Sequence, residues 1–177
     1  MSECIRVLPL RYWDDPALSK VCDKVGDGEF GPQLEEFARQ LAATMDANNG
    51  IGLAAPQVGV LRRMFVMRFP DHRNAAPITV CNPVMVFSGA NLAESEGCLS
   101  VPGVHVPVFR ASHANMTYRT PSGEHVELLL DLWDARVAAH ERDHLDGIMM
   151  FDRLRVSRQV SRAALREWEK EKRKRGL

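Results

Sequence analysis

No apolar run in the 177-residue chain approaches the ~20 residues that a membrane-spanning helix needs, so a transmembrane protein is not expected. The opening residues, Met1 to Arg6, have neither the charged-then-apolar layout of a secretory signal nor the arginine-rich pattern of a transit peptide. The expected location is therefore cytoplasmic. Cysteine is scarce and irregularly placed: Cys4, Cys22, Cys81 and Cys98 form no CxxC pair, which argues against a disulfide framework. Internal repeats, low-complexity tracts and convincing linkers are also missing, and a single domain over 1–177 is expected. Net charge is zero, but Arg153 to Leu177 carries ten Lys or Arg against three Glu. That basic segment admits two readings, phosphate neutralisation on RNA or a solvated helix face.

What is present suggests an α+β fold, with short mixed or antiparallel strands around a central helix and further helices near both ends. Residues 32–49 carry Leu34, Phe37, Ala38, Leu41 and Met45 at helical spacing, with Pro32 in the first turn and Asn48-Asn49-Gly50 as the stop. Short β-like runs follow at Met64–Met67, Ile78–Phe87, Asn115–Arg119 and Val126–Leu130. Pro121-Ser122-Gly123 reads as a hairpin turn and Val101-Pro102-Gly103 as another tight turn. Asp131 is expected to cap a second helix over about 132–146. A third, over about 157–174, places Val160, Ala164 and Trp168 on one stripe among basic residues.

Chemistry concentrates in His140-Glu141-Arg142-Asp143-His144. Residues four apart on a helix share a face, so both imidazoles can hold one metal ion. Glu141 sits where its carboxylate can reach a water activated by that ion. A third ligand must come from elsewhere. No histidine follows His144, and Glu167 and Glu169 lie among Lys and Arg on an apparent surface helix. Upstream, Cys98 in Glu96-Gly97-Cys98-Leu99-Ser100 is the better source, since a thiol beside a cation ionises and becomes a strong ligand. Cys98, His140 and His144 would leave the fourth tetrahedral position open. A further segment, Gly50-Ile51-Gly52-Leu53-Ala54-Ala55-Pro56-Gln57, lets backbone approach a ligand closely and ends in an amide able to donate to an oxyanion. A packed helix-to-strand turn would look the same, and the Lys-Ser/Thr ending of a phosphate loop is missing.

Together GIGLAAPQ at 50–57, EGCLS at 96–100 and HERDH at 140–144 resemble peptide deformylase in motif, order and separation. The resemblance spans nearly the whole chain. It implies a metal-dependent hydrolase that removes the N-formyl group from the N-terminal methionine of new proteins, releasing formate. Cys98, His140 and His144 would hold the ion, ferrous iron in most of the family, although zinc, nickel or cobalt suit the same ligands. Glu141 would move the proton from water to the leaving amine, while Gln57 and the backbone N–H of Leu99 stabilise the oxyanion. Ile51, Gly52 and Gly97 would pair with the extended peptide substrate. Glu96 would be structural, paired with a base such as Arg110, and Asp143 would steady the ligand geometry.

The stretch Trp133-Asp134-Ala135-Arg136-Val137 is similar to one variant within the family. On that likeness Trp133 and Val137, with Ile51, wall the methionine pocket and Arg136 helps orient them. Arg142 and Ala139 depart from the commonest pattern without touching this chemistry. His72, His105, His113 and His125 have no partner spacing and read as surface residues, and Cys4, Cys22 and Cys81 as structural thiols. Partners would be N-formyl-methionyl nascent peptides and, through the basic helix, the ribosome. Rival readings are a zinc endopeptidase of the HExxH type and a ribosome-associated binding protein with a decayed metal site.

Overall fold

The computed structural model describes residues 5–69, 75–154 and 158–176, leaving out the side chains of residues 158–162 and 164. Five strands form one antiparallel sheet in chain order: β1 Gly52–Ala54, β2 Met64–Met67, β3 Ile78–Cys98, β4 Val101–Arg119 and β5 His125–Asp131. Three α-helices accompany it, α1 Pro32–Ala47, α2 Leu132–Leu145 and α3 Arg158–Arg175. The expected α+β class is the one observed.

Helix α1 has proline in its first turn and buries Leu34, Ala38, Leu41, Thr44 and Met45, a stripe at helical spacing. Asn48 and the left-handed Asn49 (φ 56°) end it. Strand β4 alternates strictly, burying Val104, Val106, Val108, Arg110, Ser112, Ala114, Met116 and Tyr118. It is far longer than the Asn115–Arg119 run expected from sequence. Pro102, Gly103 and Pro107 look like breakers, yet β5 pairs only with His113–Arg119, so Pro107 lies where β4 has an open edge. Strand β3 likewise runs past Phe87 to Cys98. The Ser88–Glu96 stretch, beyond the expected run, pairs with β4 while most of its side chains face solvent.

Two local expectations need correction. The tight turn placed at Val101-Pro102-Gly103 falls instead at Leu99-Ser100, because Cys98 pairs with Val101 after a register irregularity at Gly97. Asp131 does precede α2, but its side chain makes no capping hydrogen bond. The turn at Pro121-Ser122-Gly123 is as expected, with Thr120 N–H donating to the Glu124 carbonyl at 2.9 Å.

Helix α2 inserts Ala135, Val137, Ala138 and Leu145 into the apolar cluster built by Phe65, Met67, Val80 and Met116. Helix α3 lies along β4, burying Trp168 against Leu18, Val101, Val104, Val106 and Val108. The rest of its expected stripe, Val160 and Ala164, falls outside the described side chains, as His72 and Cys4 fall outside the described residues. His105, His113 and His125 are exposed. Cys22 and Cys81 are buried, and burial pushes their thiols up to about 11 and about 12. Among the described residues no helix is long and apolar enough to cross a membrane.

Candidate metal centre

Cys98 ends β3 at the hairpin turn, and His140 and His144 lie one turn apart on α2. Their donor atoms all fall within 4.8 Å of one another. Cys98 Sγ lies 3.3 Å from His144 Nε2, and the two imidazole rings meet edge to face at 5.0 Å between centroids. Glu167 and Glu169, the downstream alternatives, are exposed on α3 and take no part in this group.

A buried charge network holds the helix against the sheet. Glu96 Oε2 lies 3.0 Å from His140 Nδ1. Burial alone would raise the Glu96 pKa, but hydrogen bonds and charge from Arg110 and His140 hold it down to about 2. An ionised carboxylate only accepts, so Nδ1 carries a proton toward Glu96 and Nε2 is the ring atom that would face an ion. Arg110 donates to both Glu96 oxygens at 2.8 Å and to Asp143 Oδ2 at 2.6 Å. Arg153 Nε reaches the same Asp143 oxygen at 2.9 Å. The pairing of Glu96 with Arg110 matches expectation, and Asp143 is buried in the network rather than solvated.

Arg136 has a structural tie that its expected part did not include. It is buried on the α2–β3–β4 contact, donating to Glu96 Oε1 at 2.6 Å and to the carbonyls of Val108 at 2.9 Å and Leu92 at 2.7 Å. Its guanidinium also lies 5.7 Å from the Trp133 ring, so its tie to that residue is secondary to its tie to Glu96. Trp133 itself is 48% exposed, which rules out an ordinary core tryptophan.

Glu141 and Gln57 complete the surroundings. Glu141 is buried, and desolvation pushes its carboxyl up to about 7 against the pull of His140 and Arg110. Burial drives His144 well below the usual histidine range, keeping it neutral as a ligand must be. Gln57 Oε1 accepts the Ala54 N–H at 2.8 Å. Its Nε2 therefore points the other way, donating to Ser100 Oγ at 3.1 Å and lying 3.5 Å from Cys98 Sγ. A cleft of about 660 Å³ opens over this group. All the remaining residues singled out from sequence line it: Ile51, Gly52, Gly97, Leu99, Trp133, Arg136 and Val137. Sequence reasoning gave no role to Ser100, which fixes the Gln57 amide, although it stands in the EGCLS motif. Arg153 and Arg175, the latter also lining the cleft, carry no local signal at all.

The residues fit a divalent transition metal. One sulfur and two imidazole nitrogens converge, which suits a tetrahedral site with one open position. Among the described residues Glu141 Oε2 and His144 Nδ1 are buried side-chain atoms without a hydrogen-bond partner, and the former belongs to a group that an acidic water would satisfy.

An α+β fold carrying Cys, His and His donors beside a buried glutamate defines a metal-dependent hydrolase. Comparison with known proteins makes this specific: the family model described as polypeptide deformylase matches residues 7–160. The chain belongs to the polypeptide deformylase family. It is 41% identical over 165 residues to peptide deformylase 2 of Streptomyces avermitilis, covering 89% of this chain and 88% of that one. Among solved structures, a peptide deformylase from Legionella pneumophila superposes with a TM-score of 0.88 at 30% identity, covering 96% of this chain and 98% of that one. The Synechococcus elongatus peptide deformylase in complex with actinonin gives 0.85 at 32% identity, over 93% and 94% of the two chains.

Proposed function

We propose that this chain hydrolyses the formyl amide of N-formyl-methionyl peptides, with Glu141 as its proton-transferring group. The observation that carries the assignment of residues is the buried Glu141 carboxylate, its Oε2 unpartnered, beside the converging Cys98, His140 and His144 donors. The ion, when bound, would polarise the formyl oxygen and acidify a water. Glu141 would take a proton from water as the water oxygen bonds to the formyl carbon, then deliver it to the methionine nitrogen as the C–N bond breaks. The products are formate and a free amine. Gln57 Nε2 and the Leu99 N–H donate to the oxygen that gains charge. Strand β1 is the edge of the sheet, so the backbone at Ile51 and Gly52, with that at Gly97 across the cleft, can bind an extended peptide by strand addition. Ile51, Trp133 and Val137 wall the methionine pocket, and Arg136 steadies it from behind.

Ferrous iron is our reading of the ion. A thiolate with two imidazoles accepts iron, zinc, nickel or cobalt, so parallel reconstitution under anaerobic conditions decides the matter. Zinc giving the highest turnover would overturn the iron assignment. The cytoplasm, where nascent chains emerge, is the proposed site of action. Ribosome docking through α3 is supported by its exposed Arg166, Lys170, Arg173 and Lys174. Replacing Lys170, Arg173 and Lys174 by Glu should weaken co-sedimentation with ribosomes; undiminished co-sedimentation sinks that part.

The decisive experiment for the function is formate release from formyl-Met-Ala-Ser by anaerobically purified protein, alongside Glu141→Ala. A loss of at least about 10²-fold in the variant is expected. Release that does not depend on Glu141, or cleavage of internal peptide bonds instead, overturns the assignment.

A further inference from the structure

The last turn of α3 forms part of the cleft wall. Arg175 lines the same cleft as Gln57, Cys98 and Glu141. Several contacts fix this end of the helix. Trp168 is 2% exposed and stacks on Tyr12 with ring centroids 6.2 Å apart. Lys172 is ion-paired with Asp14. Gly103 is packed so closely that a Cβ there would lie 3.0 Å from Glu171 Cγ. Arg175 Nε donates to Glu171 Oε1 at 2.6 Å, which orients the guanidinium. Its two Nη groups have no hydrogen-bond partner among the described residues, and the side chain is 50% exposed.

The charge around it is mainly basic: Glu171 pairs with Arg175 but is shared with Lys174, while Lys172 and Arg173 lie in the same last turn. The carboxylates that line the cleft, Glu96 and Glu141, are buried beside the metal donors, and Glu96 is tied by two arginines. Leu10, Tyr12, Pro102 and His105 share the lining with Arg175, and none of them is acidic. A half-exposed guanidinium with a free fork of N–H donors recognises a carboxylate in two-point fashion and repels a cation. A peptide entering amino end first, with its formyl-methionine at Glu141, must run its following residues outward through the cleft.

We propose that Arg175 is a specificity-determining residue that favours acidic side chains, Asp or Glu, downstream of the formyl-methionine and disfavours Lys or Arg there. This rests on the deformylase reading above. The contact lies at a partly solvated rim, so the discrimination is modest and is screened by salt.

The test compares kcat/KM for formate release from formyl-Met-Ala-Glu-amide and formyl-Met-Ala-Lys-amide, with a second pair carrying the charge on the residue directly after methionine. The amides remove the terminal carboxylate that would otherwise mimic an acidic side chain. The ratio within one enzyme preparation cancels differences in folding and metal content. Wild type should favour Glu over Lys by roughly three- to ten-fold at one of the two positions, and ~1 M salt should flatten the preference. Arg175→Ala should bring the ratio near one, Arg175→Lys should keep part of it, and Arg175→Glu should invert it. A wild-type ratio of one at both positions, or a preference that survives Arg175→Ala, overturns the proposal while leaving the deformylase reading intact. No release from any peptide overturns both.

Discussion

Gly52 and Glu141 meet so closely that a Cβ on Gly52 would lie 2.3 Å from Glu141 Oε1 and 2.8 Å from its Cδ. Both residues are buried, so the only room for Glu141 to yield is toward the cleft it lines. The edge strand that is proposed to bind substrate thus also presses on the proposed base. Gly52→Ala should displace the carboxylate by about 1 Å and lower kcat/KM for formate release by about 10²-fold, with metal content unchanged. A variant that keeps both near wild-type activity and a wild-type fold would show that this contact does not position Glu141.

Arg110 stands between two buried carboxylates, Glu96 and Asp143. Removing it leaves Glu96 to Arg136 and His140 and Asp143 to Arg153, each buried carboxylate short of one cation. Arg110→Ala should cost about 3–5 kcal/mol of stability by urea denaturation. Arg39→Ala breaks only the exposed pair with Glu36 and should cost no more than about 0.5 kcal/mol. Equal costs for the two variants would mean that the buried network adds nothing beyond surface pairing.

Acid stability follows from the same network. Glu96 is held at about 2, below its ordinary value of 4.5, so the folded state binds its proton more weakly than the unfolded state. Its contribution is therefore complete above about pH 4.5 and is lost as pH falls toward 2. Between these limits wild type should lose stability faster than Glu96→Gln, both measured after chelation so that ion release does not intrude. Parallel urea midpoints from pH 5 to pH 2.5 would remove Glu96 from the explanation. Loaded protein offers a second readout, since losing the carboxylate under His140 should weaken ion affinity about 10–100-fold.

The centre was legible in sequence because its chemistry is local. Two histidines and a glutamate occupy five consecutive residues, and the cysteine lies in a second short motif. Glu96–Arg110 follows from the family resemblance, not from local spacing, because the two lie on different strands. The long β3–β4 hairpin could not be. Its prolines and polar residues obey a ladder whose open edge exists only once the sheet has formed. Arg153 and Arg175 were invisible for a related reason. Each reaches the site from a separate element, and nothing in the spacing around it marks the approach.

Trp133 shows what sequence likeness leaves open. Half exposed at the cleft, with Arg136 behind it, it neither packs as core nor stands free. Trp133→Ala should reduce the preference for formyl-methionine over norleucine and alanine analogues, by about 1–3 kcal/mol of discrimination if a methylene-sized contact is lost. Unchanged preference across the three substrates would take Trp133 out of the pocket wall.

Thiol chemistry separates the cysteines. Cys22 and Cys81 are buried with thiols pushed up to about 11 and about 12, so at pH 8 almost none of either is thiolate. Cys98 is only partly buried and lines the cleft, yet its sulfur is the one proposed to bind the ion. Iodoacetamide with peptide mapping should leave Cys22 and Cys81 unmodified until the protein unfolds. Cys98 should be protected in loaded protein and alkylated after chelation, because donating charge to an ion makes the sulfur a much weaker nucleophile. Rapid modification of Cys98 in protein shown to contain one ion per chain would mean that the ion is held elsewhere, and the Cys98-His140-His144 assignment would fall with it.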